Sequence, residues 1–162
     1  MSGELGTTKQ DSVVVTWAQF GEACQDLTGQ VLRSGFMPEV VVAIARGGLL
    51  PGGAIAYALG VELVDVINVE RLDEFGSPIP DPGLLAPHVD SAAIAGRRLL
   101  IVDDLTDTGR TLGVVTRLLR GFGAQLRSAV LFSKPNTVFP ADHVWRQARG
   151  WVEFPWNVGN LE

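Results

Sequence analysis

At 162 residues the chain fits one compact domain, since a single hydrophobic core is comfortable at roughly 100–200 residues. Its 46% hydrophobic and 19% charged residues supply a core and exclude a disordered chain. The formal net charge of −5 opposes nonspecific binding to nucleic acid, which draws on Lys and Arg, and the single cysteine, Cys24, excludes an internal disulfide.

Met1 to Asp11 are rich in Ser, Gly and Thr without an apolar period, so residues 1–12 are expected to form a flexible N-terminus ahead of one domain over 13–162. Trp17, Phe20, Cys24, Leu27 and Val31 then recur at three and four residues and paint one helical face, with Thr16 as N-cap and Gly35 as stop. Cys24 on that face is expected to be buried. Val40 to Ala45 reads as a buried strand, Arg46-Gly47-Gly48 as a turn, and Leu49 to Leu59 as a helix stopped by Gly60. Val61 to Val69 and Arg97 to Val102 read as further strands, Thr111 to Phe122 as a helix closed by Gly121 and Gly123, and Leu126 to Phe132 as a fourth strand.

Between them, Arg71 to Gly96 carries Pro78, Pro80, Pro82 and Pro87 and is expected to be a flexible, lid-like loop. Strands alternating with helices predict an α/β fold, a mostly parallel twisted sheet flanked by helices, with ligands beyond the carboxyl ends of its strands. No apolar run approaches the ~20 residues that span a bilayer and no basic-then-apolar leader is visible. A cytoplasmic protein without a membrane partner is the expectation.

The string LLIVDDLTDTGRTL, residues 99–112, ends a buried strand in two carboxylates and then turns through small, hydroxyl-bearing residues into a helix. Carboxylates at such a place need compensation of their charge, which a sugar with a metal ion would supply. In the turn, Asp107, Thr108, Gly109, Arg110 and Thr111 offer backbone N–H groups, two hydroxyls and the positive end of a helix dipole to one anion. Asp and Thr also cap ordinary helices, so the turn gains its meaning from the acids before it.

IVDDLTDTGRTL resembles the phosphoribosyl diphosphate signature of type I phosphoribosyltransferases: an apolar strand, two acids, then D-T-G-x-T. VVAIARGGLLPG, residues 41–52, is similar to the family's pyrophosphate loop, where a non-proline cis peptide bond falls at the place of Ala45–Arg46. FSKP, 132–135, and WVEFPW, 151–156, are similar to segments of the 6-oxopurine subgroup, which implies a small C-terminal, base-binding hood over 134–162. The lid departs from the Ser-x-Tyr type of the bacterial xanthine-guanine group.

The resemblance implies transfer of a 5-phosphoribosyl group from phosphoribosyl diphosphate to guanine, xanthine or hypoxanthine, with Mg²⁺ as cofactor. Donor binding would fall to Arg46, Gly47, Asp103, Asp104, Asp107, Thr108, Gly109, Arg110 and Thr111, metal contact to Asp104 and proton management to Asp107. Lys134, Trp151 and the Val152 backbone would take the purine. Relatives are commonly homodimers or homotetramers, and Trp145, Trp156 and Phe139 are the interface candidates. The competing readings are a phosphoribosyltransferase for another base and a regulator of the same fold that binds nucleotides or RNA. His88 and His143, each a lone histidine in a polar segment, are assigned no role.

Overall fold

The computed structural model describes residues 11–72, 78–84 and 89–157, with the backbone alone at 70–72 and 78–84. The expected loose terminus before Asp11, His88 and parts of the expected lid lie outside these residues. In chain order the elements are β1 (Val13–Val14), α1 (Trp17–Arg33), β2 (Val40–Ala45), α2 (Leu49–Leu59), β3 (Leu63–Leu72), β4 (Pro78–Leu84), α3 (Ser91–Ile94), β5 (Arg98–Thr106), α4 (Arg110–Arg120), β6 (Gln125–Ser133), β7 (His143–Gln147) and β8 (Val152–Glu153).

The main sheet has the order β4-β3-β2-β5-β6-β7. All its pairings are parallel except β4 against β3. β2 and β5 lie at its centre, and strand alternation divides their side chains between two cores. Val41, Leu100 and Val102 join Leu27, Val31 and Ile55 on the side of α1 and α2, whereas Val40, Val42, Ile44, Leu99 and Ile101 join Leu112, Val115 and Leu119 on the side of α4. From β2 the chain moves outward to β3, then returns to add β5 on the other flank. The crevice between the carboxyl ends of β2 and β5 is thus the topological switch point, where ligands of such sheets bind.

α1 starts in a capping box: the Thr16 hydroxyl accepts the Gln19 N–H, and the Gln19 side-chain oxygen accepts the Thr16 N–H. Ala23, Cys24, Leu27 and Val31 face the core as their spacing predicts, but Trp17 is 56% exposed. It packs instead against Phe20 and Trp156, with ring centroids 5.9 and 6.3 Å away.

Six elements depart from the sequence reading. The segment expected to be an unstructured lid contains β4 and the short helix α3, capped by Asp90. Pro78, Pro80 and Pro82 are compatible with a strand because they alternate, which puts their missing N–H groups on one side, and β4 is the sheet edge, where one side needs no donors. β5 continues through both acids to Thr106. β7 was read as a polar segment; His143 there is buried, paired in register with Ala129. β1 and β8 form a separate parallel pair that ties the start of the domain to the hood.

The three interface candidates are engaged within the chain. Trp156 stacks on Phe154 at 4.7 Å, Trp145 meets Phe132 edge-on at 5.4 Å, and the Phe139 ring lies 3.5 Å from where a Gly113 side chain would begin. No helix among the described residues is long and apolar enough to cross a membrane.

Candidate active site

Two loops meet at the switch point. The first follows β2: the Ala45–Arg46 peptide bond is cis, the bond that the resemblance singled out. The Gly48 N–H donates to Ile44 O at 2.8 Å and the Leu49 N–H to Arg46 O at 3.0 Å, which closes a tight turn into α2. A Cβ at Gly48 would strike Val102 O and Ile44 O, and one at Gly47 would land on the Asp104 carboxylate. The glycines let the acid of β5 lie directly over the loop after β2, so Gly47 and Asp104, distant in sequence, share one site.

The second loop follows β5. Alternation sends Asp103 and Asp104 to opposite faces of the strand. Asp103 is 2% exposed, and its Oδ1 accepts the Asp104 N–H at 2.9 Å; Asp104 is half-buried on the Gly47 side. Asp107, Thr108 and Arg110 are exposed, and Gly109 takes φ +85 to start α4. The Arg110 N–H reaches Thr108 Oγ1 at 3.3 Å. Neither α2 nor α4 has an acidic residue in its first turn, and neither has a side-chain cap. Two helix N-termini without an acidic residue or an N-cap side chain therefore flank the crevice, and their positive dipole ends suit an anionic ligand.

The third part is the 134–139 segment with the hood. The Lys134 N–H donates to Thr106 O at 2.9 Å and the Val138 N–H to Thr108 O at 2.8 Å, extending the β5–β6 pairing beyond the strands and bracing the turn. The Lys134 ammonium donates to the carbonyl oxygens of Gly150 and Arg149, so its charge sits one residue from Trp151. Trp151 is 69% exposed, an uncovered indole face. Its carbonyl accepts the N–H of Val13 in β1, and that of Glu153 accepts the N–H of Val15 just after it. Strand alternation turns the Val152 N–H and C=O to the opposite side, away from β1.

All the residues read from the motifs thus fall at one end of the sheet, on the loops after β2, β5 and β6 and on the hood. Four further contributors were given no part in the site by the motifs. Thr106 ends β5 with a buried hydroxyl that has no hydrogen-bond partner among the described residues. Thr137 and Phe139 crowd Gly109, and Gly150 is pressed on the Asp11 backbone. Only the glycines themselves signalled these contacts in the sequence. A cavity of about 280 Å³, lined by Gly109, Arg110, Gly113, Arg117, Val138 and Phe139, shares two residues with the turn but none with the acids or Lys134, and lies beside the site.

Among the described residues no three His, Cys, Asp or Glu side chains converge on a metal position. The site's oxygen donors, with Asp104 packed over Gly47, fit an ion that takes one carboxylate or two and completes its shell from substrate and water, the habit of Mg²⁺.

A family model described as the phosphoribosyl transferase domain matches residues 13–162. Among solved structures the chain is similar to a purine phosphoribosyltransferase from Pyrococcus horikoshii Ot3, with 32% identity over 90% of this chain and 93% of that one, at a TM-score of 0.77. It is similar in fold to a xanthine-guanine-hypoxanthine phosphoribosyltransferase of Helicobacter pylori, with 23% identity over 91% of this chain and 94% of that one, at 0.76. It is likewise similar in fold to a hypothetical protein of Neisseria gonorrhoeae with bound ppGpp, with 16% identity over 93% of this chain and 91% of that one, at 0.77.

Proposed function

The chain belongs to the phosphoribosyltransferase family and is a phosphoribosyltransferase of the type I fold, and from that premise we propose that it transfers the 5-phosphoribosyl group of phosphoribosyl diphosphate to a 6-oxopurine. Guanine, xanthine or hypoxanthine would be the acceptor, and pyrophosphate and a 5′-nucleotide the products, in the cytoplasm and in a homo-oligomer.

The N–H groups and hydroxyls from Thr108 to Thr111 hold the 5′-phosphate at the start of α4, where the helix dipole favours it. Arg46 and Gly47 hold the pyrophosphate. Asp104 meets the ribose hydroxyls from the open side of β5, with Asp103 beneath it. Mg²⁺ bound at Asp104 would supply positive charge to the pyrophosphate as it leaves. Asp107, exposed at the head of the turn, takes or returns the proton of the purine imidazole edge, the base nitrogen having displaced pyrophosphate from C1 of the ribose. Closure of the segment from Arg71 over the crevice would exclude water that otherwise hydrolyses the donor.

The observation that supports a 6-oxopurine over other bases is Lys134. Its ammonium, a donor with no acceptor capacity, is tied to the carbonyl oxygen of Gly150, the residue before the exposed Trp151. Such a donor favours an oxo group and disfavours the amino group of adenine, while the indole offers stacking area. Lys134→Gln and Trp151→Ala should each raise the KM of the purine at least tenfold and leave the KM of the donor within about twofold, each tenfold being about 1.4 kcal/mol. Equal loss for both substrates would sink the assignment.

A second reading is a regulator of the same fold, and the shared fold of the Neisseria gonorrhoeae protein that holds ppGpp favours it. It predicts nucleotide binding without product from any base.

A further inference from the structure

Along α4, Arg110, Gly113 and Arg117 stand three and four residues apart, so they share one stripe of the helix, with the glycine between the two arginines. A glycine inside a helix is destabilising relative to alanine, and crowding by a neighbouring element is the usual reason to find one. Crowding does not explain Gly113: a Cβ there would meet only the Phe139 ring, at 3.5 Å, an ordinary van der Waals distance. The missing side chain instead leaves a notch between the arginines. The stripe lines the cavity of about 280 Å³ beside the site, and Val114, Val138 and Phe139 give that cavity its apolar surface. Val138 is 77% exposed. The exposed Arg117 side chain has no ion-pair or hydrogen-bond partner among the described residues.

We propose that this cavity is a second anion site, separate from the donor site, and that its ligand is a small phosphate monoester with a flat or apolar body. Two guanidiniums flanking one notch favour a group that accepts hydrogen bonds from opposite directions. A tetrahedral phosphate offers three terminal oxygens to them, whereas a planar carboxylate presents two along one edge. The phosphate charge of about −1.5 to −2 at neutral pH matches two arginines, and no carboxylate lines the cavity to oppose it. The body of the ligand lies on Val138 and the Phe139 ring. The volume is just under the ~300 Å³ at which ligand pockets begin, which suits a small molecule and excludes a macromolecule. The donor's 5′-phosphate belongs to other groups: neither Thr108 nor Thr111 lines the cavity, and Arg117 lies two turns, about 10 Å, along the axis from Arg110. The inference is independent of which base is used.

The test is isothermal titration calorimetry of phenyl phosphate into the intact protein, with and without an excess of phosphoribosyl diphosphate and Mg²⁺. Phenyl phosphate should bind in both conditions, and benzoate about tenfold more weakly or worse. Arg117→Ala, and Gly113→Leu, which fills the notch, should each weaken phenyl phosphate about tenfold or more while the donor KM stays within about twofold. Gly113→Ala should raise the melting temperature, since alanine fits the helix there without a clash. Absence of binding, or its loss whenever the donor is present, would overturn the proposal by leaving the donor site as the place where phosphate binds. Affinity unchanged in both Arg117→Ala and Gly113→Leu would overturn it by placing the ligand elsewhere. Benzoate binding as well as phenyl phosphate would overturn the choice of ligand, and a lowered melting temperature for Gly113→Ala would show that packing requires the glycine. None of these results bears on the base assay, which reads the function separately.

Discussion

Gly109→Ala puts a methyl group 2.5 Å from Thr137 Oγ1, 2.7 Å from the Phe139 nitrogen and 2.8 Å from the Phe139 carbonyl oxygen, at a residue held at φ +85. The left-handed backbone costs an L-residue about 1–2 kcal/mol. Pushing the 137–139 backbone away adds about 1–3 kcal/mol, the range for overpacked sites. The total of about 2–5 kcal/mol lowers the melting temperature of a domain this size by roughly 5–20 °C. Gly123→Ala separates the two contributions, because Gly123 has φ +72 and nothing within 4 Å of the added methyl. It should lose the backbone part alone, about 1–2 kcal/mol. Thermal unfolding of both variants, with donor KM measured alongside, gives the comparison. Gly109→Ala should melt well below Gly123→Ala and alone bind the donor more weakly, since the 137–139 segment braces the phosphate turn. Equal melting temperatures would refute the claim that this segment is packed tightly against the turn.

Asp107→Asn should lower turnover by about 10²–10⁴ with donor affinity retained, and near-normal turnover would remove Asp107 from the proton-transfer role. Gly47→Ala displaces the Asp104 carboxylate, and kcat/KM for the donor should fall about 10²-fold, as misplacement of a binding group by ~1 Å does; an unchanged value would mean that Asp104 does not act from that position. Burial pushes the Cys24 thiol up from 9.0 to about 12. The stability this represents is complete below pH 9.0 and lost as pH rises toward 12, and a thiol reagent at mildly alkaline pH should modify Cys24 only after denaturant is added. Burial also holds His143 below its ordinary 6.5, with Asp142 opposing and Arg127 adding to the shift. The unfolded chain then takes up a proton first, so that stability is present above pH 6.5 and lost on acidification; His143→Gln should flatten the acid limb of a urea-unfolding profile, and an unchanged limb would contradict the burial effect.

The central strands and helices were legible because their residues carry a single message. Val40–Ala45 is a continuous apolar run, and a strand buried on both faces requires one. Thr16 caps α1 as a threonine before an apolar period should, and Gly60 stops α2 in the left-handed conformation. The elements missed are those in which tertiary context outweighs the local signal. β4 contains three prolines, which argue against a strand except at an edge, and whether a strand lies at an edge depends on the whole topology. β7 starts with His143, whose polar neighbours Asp142 and Arg146 suggest exposure; the Asp142 carboxylate is instead occupied by the N–H and hydroxyl of Ser128, across the strand pair. Trp17 shares the spacing of the buried face of α1, but an aromatic cluster holds it outside the core.

The site divides in the same way. Residues adjacent in sequence, Asp103 with Asp104 and the turn from Asp107 to Thr111, announced themselves as a group, since a strand ending in acids before a hydroxyl-rich helix start has few other uses. That Asp104 lies over Gly47, and that Lys134 is tied to Gly150, depends on pairings between strands distant in sequence. No local pattern encodes those contacts. The glycines were their only trace, and a glycine shows that something comes close without showing what.

The most direct test is a spectrophotometric assay of the purified protein with phosphoribosyl diphosphate and Mg²⁺, offering guanine, xanthine, hypoxanthine, adenine, uracil and orotate in parallel. The account predicts a 5′-nucleotide and pyrophosphate from one or more of the three 6-oxopurines and none from the other bases. Product from adenine, uracil or orotate alone would contradict the role given to Lys134, and donor binding without product from any base would favour the regulator.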